Sequence, residues 1–297
     1  MAHVDAHVHV FTRPSSEFPR LVSEGMPADR EAPVELLLEQ MQVDDVDQAI
    51  LVQTGGTALE HHAYLLHCLA AHPDRFRGIA LIPSDCSNPA QHMDQLADDG
   101  DIIGFRLRNL GGPFDPLQPI DLRASSTFEI WQHAAEKDYV LWLYPRAADS
   151  PILAFLIDAF PQVRVLFNHL MVCVGDGALS WDDEHRPHVA MTLPPVTRYS
   201  TLRLYQYENV CVHLSGQYAF SRQDWPYDDT APWQQTLLRE FGADRLMWAS
   251  DFPWIVEEPG YGRALGVVDE LLPELSQPQR QAILGDTARR FLRLPVI

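Results

Sequence analysis

Two histidines near the start of the chain, His7 and His9, stand one residue apart in an apolar run. Side chains alternate along a β-strand, so both imidazoles would lie on the same face of the strand. Such a pair can ligate a divalent metal ion, or it can donate and accept protons in catalysis. A pair of buried, hydrogen-bonded strand histidines would show the same spacing. The other strands decide between these interpretations, because they determine which side chains the pair faces.

Two further polar residues, Asp251 and His169, stand at the ends of apolar runs later in the chain. Alone, an aspartate before a turn often caps the turn through its own side chain. If the apolar runs are strands of a closed barrel, however, the first and last strands are neighbours. His7, His9 and Asp251 would then converge at one end of the barrel, and His169 would lie across the lumen. This convergence predicts a catalytic or metal-binding centre.

The elements that would position these residues are short apolar runs rich in Val, Ile, Leu and aromatic residues. Eight such runs alternate with stretches of helical periodicity or turn residues, a pattern typical of β/α units. We therefore predict an α/β fold, a (β/α)8 TIM barrel that forms a single domain over residues 1–297. The predicted strands are 2–10, 49–53, 77–82, 102–107, 139–144, 164–169, 209–215 and 245–251. The predicted helices are 33–42, 61–72, 89–98, 126–137, 151–159, 232–241 and 277–292.

In this fold, active-site residues lie at the carboxyl ends of the strands and in the loops that follow them. Two of these loops are long, 11–32 and 170–205, and we expect both to lie over the mouth of the barrel. Polar and apolar residues alternate along the first predicted strand. The polar set, predicted to face the lumen, is His3, Asp5, His7 and His9. The apolar set, predicted to pack against the outer helices, is Val4, Ala6, Val8 and Val10.

The charge balance argues against a nucleic-acid partner, because the formal net charge is −19 and no basic run offers a footprint for phosphates. Lys137 is the only lysine, so arginine, which suits planar carboxylates, carries nearly all positive charge. No apolar run reaches membrane-spanning length, no signal peptide precedes the first strand, and the four cysteines lack metal-site spacing. We expect a cytoplasmic protein with a small-molecule substrate and no nucleic-acid or membrane partner; whether it forms a homo-oligomer is left open.

Arginines near the predicted mouth are candidates for binding a substrate carboxylate. Arg106 lies on the predicted fourth strand, and Arg108, two residues later, points the same way. A guanidinium can bind a carboxylate through two parallel hydrogen bonds. Arg222, in the loop after the seventh strand, is a third candidate. Each arginine could instead form a salt bridge with one of the many acidic residues.

Several motifs carry a resemblance that extends over nearly the whole chain. They are DAHVHVF at 5–11, HPDRFRG at 72–78, GFR at 104–106, LSG at 214–216, RLMWASDFPW at 245–254 and ILGDTA at 283–288. With these motifs the sequence resembles the amidohydrolase superfamily, and more narrowly its amidohydrolase-related branch. The first- and eighth-strand motifs together are specific, whereas one motif alone is not. The resemblance implies that His7, His9 and Asp251 form the core of the site, with His169 as the sixth-strand histidine.

The resemblance also bears on metal binding. In metal-dependent members the first-strand pair and the aspartate hold a divalent ion, and a further histidine ends strand five; here Tyr144 stands at that position. Binuclear members use a carboxylated lysine on strand four, and the absence of a lysine there excludes a lysine-bridged binuclear centre. The expected cofactor is either none or one divalent metal ion, zinc before others. Its ligands would be His7, His9, Asp251 and His169.

With a tyrosine at this place, the sequence resembles 2-pyrone-4,6-dicarboxylate hydrolases and related sugar-lactone hydrolases, some of which work without metal. This resemblance implies hydrolysis of a small carboxylated lactone or related cyclic ester. Asp251 would take a proton from water, while imidazoles and arginine stabilise the carbonyl oxygen as it becomes an oxyanion. The catalytic residues would be Asp251, His7, His9 and His169. The substrate-binding residues would be Arg106, Tyr144, Arg108 and Arg222.

Two other functions are compatible with the sequence. A metal-dependent decarboxylase of an aromatic or muconate-type acid, which the wider branch also contains, would need a tightly bound ion. A catalytically silent barrel acting as a binding protein would explain the fold and the long loops, but not the convergence of two histidines and an aspartate. Fold alone does not assign function, so the hydrolase prediction depends first on the site.

Overall fold

The computed structural model describes residues 3–98, 101–112 and 119–295. Its strands are β1 (His3–Val8), β2 (Val46–Val52), β3 (Phe76–Leu81), β4 (Ile102–Leu107), β5 (Val140–Leu143), β6 (Val165–Phe167), β7 (Ala178–Trp181), β8 (Pro187–Ala190), β9 (Val210–Leu214) and β10 (Leu246–Trp248). Eight of these strands are parallel and hydrogen-bond in the order β1-β2-β3-β4-β5-β6-β9-β10. Ala2, where the first predicted strand begins, lies outside the described residues.

The sheet is nearly closed, because backbone hydrogen bonds connect the two outermost strands at their carboxyl ends. The His9 N–H donates to the Phe252 carbonyl at 2.7 Å, and the Asp251 N–H donates to the His7 carbonyl at 3.1 Å. With helices between the strands, this architecture confirms the predicted (β/α)8 TIM barrel.

The helices lie mostly where the apolar periodicity predicts them. They are α1 (Val34–Val43), α2 (Ala63–Ala71), α3 (Pro89–Leu96), α4 (Phe128–Lys137), α5 (Leu153–Ala159), α6 (Arg198–Thr201), α7 (Gln217–Phe220), α8 (Ala231–Phe241), α9 (Tyr261–Leu271), α10 (Gln277–Gln281) and α11 (Thr287–Leu292). The prediction missed α9. The predicted helix 277–292 is divided by a π-helical segment over Ala282–Asp286. Among the described residues, no helix is long and apolar enough to cross a membrane.

A β-bulge in β1 corrects the predicted alternation of its side chains. Asp5 pairs with Ala49 and Val8 pairs with Leu51, so β1 has one more residue than β2 between these pairs. An extra residue reverses the side-chain parity of the strand. Val4 and Ala6 consequently belong to the inner apolar cluster, and the prediction that they pack against the outer helices was wrong.

Asp5 faces outward, contrary to the prediction for the polar set. Its Oδ2 accepts a hydrogen bond at 2.8 Å from the Tyr261 hydroxyl on α9, and its Oδ1 accepts one at 2.9 Å from the Ser250 N–H. The bulge therefore separates Asp5 from His7 and His9, which lie on the lumen side.

A second bulge lies in β4. Gly78 pairs with Ile102, but the next residue on β3, Ile79, pairs with Gly104, so β4 carries one extra residue. A Cβ atom on Gly104 would lie 2.3 Å from the Val140 carbonyl oxygen, and only glycine fits there. The bulge allows Ile103 to pack against the inner cluster while Arg106, three residues later, also faces the lumen.

The lumen below the carboxyl ends is filled by this inner apolar cluster. Its residues on the strands, or directly after one, are Val4, Ala6, Ile50, Val52, Ile79, Val140, Trp142, Leu166, Cys211, Met247 and Ala249. Phe291 and Leu292 of α11 join the cluster and close the amino-terminal end of the barrel. A site at the carboxyl end therefore rests on a packed apolar floor.

The ends of loop 11–32 are joined by backbone hydrogen bonds. The Phe11 N–H donates to the Ala32 carbonyl at 2.9 Å, and the Ala32 N–H donates to the Phe11 carbonyl at 2.8 Å. The loop begins and ends at one place, next to the carboxyl end of β1.

The interior of loop 11–32 is organised by the guanidinium of Arg20. Arg20 Nε donates to the Thr12 carbonyl at 2.7 Å, and its terminal nitrogens donate to the carbonyls of Met26, Pro27 and Arg30 at 2.8 to 2.9 Å. These bonds satisfy backbone acceptors that a loop without secondary structure would otherwise leave to water. The loop is therefore an ordered element.

The second long loop contains an antiparallel hairpin that the sequence did not predict. β7 and β8 pair from Ala178 opposite Ala190 to Trp181 opposite Pro187. Arg30 connects the two long loops, because its NH1 donates to the Gly25 carbonyl in one and to the His185 carbonyl in the other. The two loops form one continuous structure.

Candidate active site

A cavity of about 720 Å³ opens at the carboxyl ends of the barrel strands. The structure brings most of the predicted site residues to this cavity or directly beneath it. His9, Arg106, Arg108, Tyr144, His169 and Asp251 line it. His7 is fully buried, with its ring 4.8 Å from that of His9. Arg222 is exposed and does not line the cavity, so the structure does not bring it to the site.

Asp251 follows β10 and has a left-handed backbone conformation, with φ at +62°. For a non-glycine residue this conformation costs about 1–2 kcal/mol and is common at functional sites. The Tyr218 hydroxyl donates to Asp251 Oδ2 at 2.7 Å. The other oxygen, Oδ1, is buried without a hydrogen-bond partner among the described residues. Oδ1 lies 3.8 Å from His7 Nε2 and 3.7 Å from His9 Nε2.

Burial raises the pKa of Asp251 to about 7, because it disfavours the charged carboxylate. The hydrogen bond from Tyr218 and the positive charge of Arg106 act in the opposite direction and moderate this increase. A general base is most effective when its pKa lies near the working pH. The unpartnered Oδ1 of Asp251 is therefore suited to accept a proton near neutrality.

Hydrogen bonds at both ends of the histidine pair fix its tautomers. Trp142 Nε1 can only donate, and it lies 2.9 Å from His7 Nδ1, so this nitrogen accepts. A neutral His7 then carries its proton on Nε2, which is 3.1 Å from His9 Nε2. His9 Nδ1 lies 2.7 Å from the Val52 carbonyl oxygen and donates to it, leaving His9 Nε2 as the acceptor. His7 thus presents an N–H at the base of the site.

The buried histidines of the site are neutral at pH 7. Burial, followed by the charge of Arg106, lowers the pKa of His9 to about 3. The pKa of His7 is also lowered by burial and by its histidine neighbours, and that of His169 by burial and Arg106. Each ring therefore offers one N–H and one lone pair.

His169 lies in a left-handed turn directly after β6. His169, Leu170 and Met171 have φ values of +44°, +54° and +59°. The turn is held by neighbours, since Trp233 Nε1 donates to the Leu170 carbonyl at 2.7 Å and both Leu170 and Met171 are buried. The ring of His169 is hydrogen-bonded through Nδ1 to Ser215 Oγ at 2.9 Å.

Arg106 is a buried cation, and it has no carboxylate partner within residues 3–98, 101–112 and 119–295. Its guanidinium lies over the ring of Tyr144 at 5.6 Å, and its Nε has no hydrogen-bond partner within the described part of the chain. No Asp or Glu of the described residues lies within 4.0 Å of the nitrogens of Arg106 or Arg108. Burial lowers the pKa of Arg106 to about 10, so it is still charged at pH 7. A buried charge needs a partner, and a substrate anion can supply one.

The sequence did not identify three residues that contact the site. Tyr218 follows the LSG motif by two residues, on α7. Ser215 belongs to that motif, and Trp142 lies on β5 two residues before Tyr144. The LSG motif and the tyrosine at the end of strand five located these two segments of the chain. Neither could show which side chains turn toward Asp251 and the histidines.

The donor set fits a metal ion only in part. His7, His169 and Asp251 offer ligand atoms within 4.8 Å of one another. The Trp142 hydrogen bond occupies the Nδ1 lone pair of His7, and its Nε2 carries the proton, so neither nitrogen is free to ligate. In this hydrogen-bonded arrangement the residues do not fit a zinc centre that includes neutral His7. Lys137 lies outside the barrel on α4, 3.6 Å from Asp94.

The family assignment agrees with this geometry. A family model described as Amidohydrolase matches residues 4–294. The chain belongs to the amidohydrolase family. The match includes residues of all eight barrel strands and every residue of the site described above.

Individual relatives are distant and differ in reaction. The chain is 22% identical over 244 residues to a γ-resorcylate decarboxylase of a Polaromonas species, covering 70% of this chain and 69% of that protein. A structure described as a 2-pyrone-4,6-dicarboxylic acid hydrolase of Pseudomonas putida has 22% identity and a TM-score of 0.70, covering 100% of this chain and 99% of the other. An amidohydrolase of Burkholderia multivorans with bound zinc has 19% identity and a TM-score of 0.74, covering 99% and 100%. These structural similarities show the fold.

Proposed function

We propose that this amidohydrolase hydrolyses a small carboxylated lactone or a related cyclic ester. The observation that carries the proposal is Asp251 Oδ1, a buried carboxylate oxygen that faces two histidines and has no hydrogen-bond partner among the described residues. Its raised pKa of about 7 suits it to activate water. The guanidinium of Arg106 lines the same cavity and has no carboxylate partner in the described part of the chain, which supports a substrate that carries a carboxylate.

In the proposed complex, Arg106 binds the substrate carboxylate in the buried part of the cavity. Arg108 is exposed at the mouth and adds positive charge along the entry route. Tyr144, whose ring lies beside both Arg106 and His169, orients the lactone ring. These contacts place the carbonyl carbon beside Asp251.

The reaction begins when Asp251 Oδ1 takes a proton from water and the water oxygen attacks the carbonyl carbon. The carbonyl oxygen becomes an oxyanion, and His7, His169 and Tyr144 stabilise it with hydrogen bonds. In the free protein His9 Nε2 accepts the His7 Nε2–H, and in the proposed step the developing oxyanion accepts this N–H in place of His9. The ring C–O bond then breaks, and the departing oxygen takes the proton from Asp251. Water has been added across the ester bond, and Asp251 returns to its carboxylate form.

The test is a panel of lactones with and without a carboxylate, assayed with wild type and Asp251→Asn. We expect hydrolysis by wild type, a preference for carboxylated lactones, and a loss of at least about a hundredfold in kcat for the variant. Asp74→Asn is the matched control, because Asp74 is exposed on the turn before β3. Full activity in Asp251→Asn would overturn the role of this residue, and an inactive wild type would overturn the function.

A metal-dependent decarboxylase is the second candidate. His7, His169 and Asp251 offer ligand atoms within 4.8 Å of one another, and they would form a metal site if the His7 proton moved from Nε2 to Nδ1 in place of the Trp142 hydrogen bond. This proximity favours the candidate, as does the decarboxylase among the relatives. A divalent ion would supply Lewis-acid polarisation of the substrate. Elemental analysis of the purified protein, with assays before and after chelation, separates the candidates. Stoichiometric metal, with decarboxylation of aromatic acids that chelation abolishes, would favour this candidate over the hydrolase.

A further inference from the structure

The cavity has an apolar wall that the proposed chemistry does not need. The apolar wall consists of Leu21, Val22 and Met26 of loop 11–32 and of Leu179, Trp181 and Val189 of the β7–β8 hairpin, all of which line the cavity. The exposed fraction is 56% for Leu21, 56% for Val22 and 58% for Leu179. Apolar side chains this exposed, grouped at the opening of a cavity, are typical of a ligand-binding surface.

One face of the hairpin forms part of this wall. Leu179 and Trp181 are two residues apart on β7, so their side chains lie on the same face of the strand. Leu179 pairs directly with Val189 on β8, whose side chain shares that face. Three apolar side chains are thus directed into the cavity by the pairing of the hairpin.

The loop side of the wall is held against the hairpin by close packing. An added Cβ on Gly25 would lie 2.2 Å from the Trp181 ring, so the loop backbone already contacts this ring. Arg30 reinforces the contact with its hydrogen bonds to the Gly25 and His185 carbonyls, and its guanidinium lies 4.8 Å from the ring of Trp254. The wall is therefore a built surface, supported from both long loops.

The same cavity extends from this wall to Asp251 and Arg106. Its volume of about 720 Å³ lies in the range that encloses drug-sized ligands, and it exceeds the needs of a single small ring. A molecule that places its carboxylate on Arg106 and its ester at Asp251 would leave the wall uncovered unless it carried an apolar extension. Continuity of the two regions makes the substrate itself the occupant of the wall.

We infer that the substrate is a carboxylated lactone bearing an apolar substituent, an alkyl chain or an aryl ring, which packs between loop 11–32 and the hairpin. This inference rests on the proposed function for the identity of the reacting group. It makes loop 11–32 and the β7–β8 hairpin the elements that determine substrate size and polarity.

The kinetic test uses 5-oxotetrahydrofuran-3-carboxylates that carry hydrogen, methyl, butyl or hexyl at C2. We expect kcat/KM to rise about three- to fourfold for each methylene that reaches the wall. Leu179→Asn should flatten this dependence, so that its kcat/KM falls furthest below that of wild type for the hexyl compound. Val196→Asn is the matched control, because Val196 is exposed in the same long loop but does not line the cavity. An equal kcat/KM along the series would overturn the inference and leave the proposed hydrolase intact.

A binding experiment tests the wall independently of hydrolysis. Calorimetric titration with succinate, butylsuccinate and octylsuccinate should show affinity that rises with chain length in wild type and in Val196→Asn, but much less in Leu179→Asn. If no lactone is hydrolysed and this pattern still appears, the proposed reaction fails and the apolar wall stands. If chain length has no effect on affinity, the inference is wrong.

The wall could instead be an interface between copies of the chain, and light scattering distinguishes this case. Leu179→Asn should leave the oligomeric state of the wild type unchanged. A change of oligomeric state with unaltered chain-length dependence would overturn the inference.

Discussion

The proton position on a single imidazole decides how His7 can act. Trp142 donates to His7 Nδ1 and thereby places the proton on Nε2, the nitrogen that faces Asp251. A donor at this position can stabilise an oxyanion, whereas a lone pair there could ligate a metal. The indole on β5 therefore favours hydrogen-bond catalysis over metal binding at the first strand.

Replacing Trp142 with phenylalanine tests this role. In Trp142→Phe, His7 Nδ1 can carry the proton, so Nε2 becomes available as a ligand. We expect zinc affinity to rise by about tenfold or more, and lactone hydrolysis to fall. Both can be measured by calorimetry and steady-state kinetics.

Trp131→Phe is the control for the lost ring volume. Trp131 is fully buried, and its Nε1 has no hydrogen-bond partner in the described part of the chain. The same change there removes similar bulk without freeing a histidine. Equal zinc affinity in the two variants would contradict the role of Trp142.

A pH profile tests the pairing of Tyr218 with Asp251. The carboxyl acts as a base only when ionised, so wild-type kcat/KM should rise with pH through about 7. The Tyr218 hydroxyl stabilises the ionised form, and Tyr218→Phe should therefore shift this rise by about one unit to higher pH.

Tyr227→Phe provides the comparison for this shift. The Tyr227 hydroxyl donates to Glu258, at 3.2 Å from Oε2, and has no bond to Asp251. Removing the Tyr227 hydroxyl should leave the rise of kcat/KM at the pH of wild type. If Tyr218→Phe did not shift the rise of kcat/KM with pH, a group other than Asp251 would control the pH profile.

Among the secondary-structure elements, the two bulged strands account for what the sequence could and could not predict. Strand ends of a barrel meet at one face, so placing Asp251 and His169 near the first strand required only the order of the apolar runs. The inward direction predicted for Asp5 failed, because one extra residue in β1 reverses the alternation. Tyr218 was missed because the chain turns sharply at Gly216, which has φ of +79°, and the direction of α7 depends on that turn.

The bulge in β4 can be tested with one added methyl group. Gly104→Ala would place Cβ against the Val140 carbonyl oxygen at 2.3 Å and force the strands apart beside Arg106. We expect a loss of about 2–4 kcal/mol in unfolding free energy and a raised KM for carboxylated substrates. Thermal or urea unfolding and steady-state kinetics measure both effects.

Gly266→Ala on α9 is the matched change. No described atom outside the local helix lies within 4 Å of a Cβ at this position, and alanine is favoured over glycine inside a helix by about 0.5–1 kcal/mol. This variant should be slightly stabilised with unchanged KM. A Gly104→Ala protein as stable as wild type would contradict the close packing of β4 on β5.

At the scale of the whole molecule, the buried carboxyl of Asp251 should lower the free energy of unfolding. The folded-state pKa of Asp251, about 7, lies above its ordinary value of 3.8, so the folded protein keeps a proton that the unfolded chain releases between these pH values. The contribution of this group to stability therefore falls as pH rises from about 4 to 7 and stays low above pH 7.

Asp251→Asn removes this cost, because the amide does not ionise. At pH 8 the variant should be more stable than wild type by up to roughly 4 kcal/mol, and the difference should shrink at pH 5. Unfolding curves at the two pH values, with Asp74→Asn as the control, measure it. A difference that does not change with pH would argue against a strongly raised pKa in the folded protein.

The paired ends of loop 11–32 have a consequence for how such a barrel can change over evolutionary time. Because Phe11 and Ala32 bond to each other, and Arg20 satisfies the carbonyls between them, the loop is closed on itself. Insertions or deletions within it need not alter the spacing of β1 from α1. Substrate range can therefore diverge through changes of length and sequence in this loop, while the reacting groups beneath it are inherited intact.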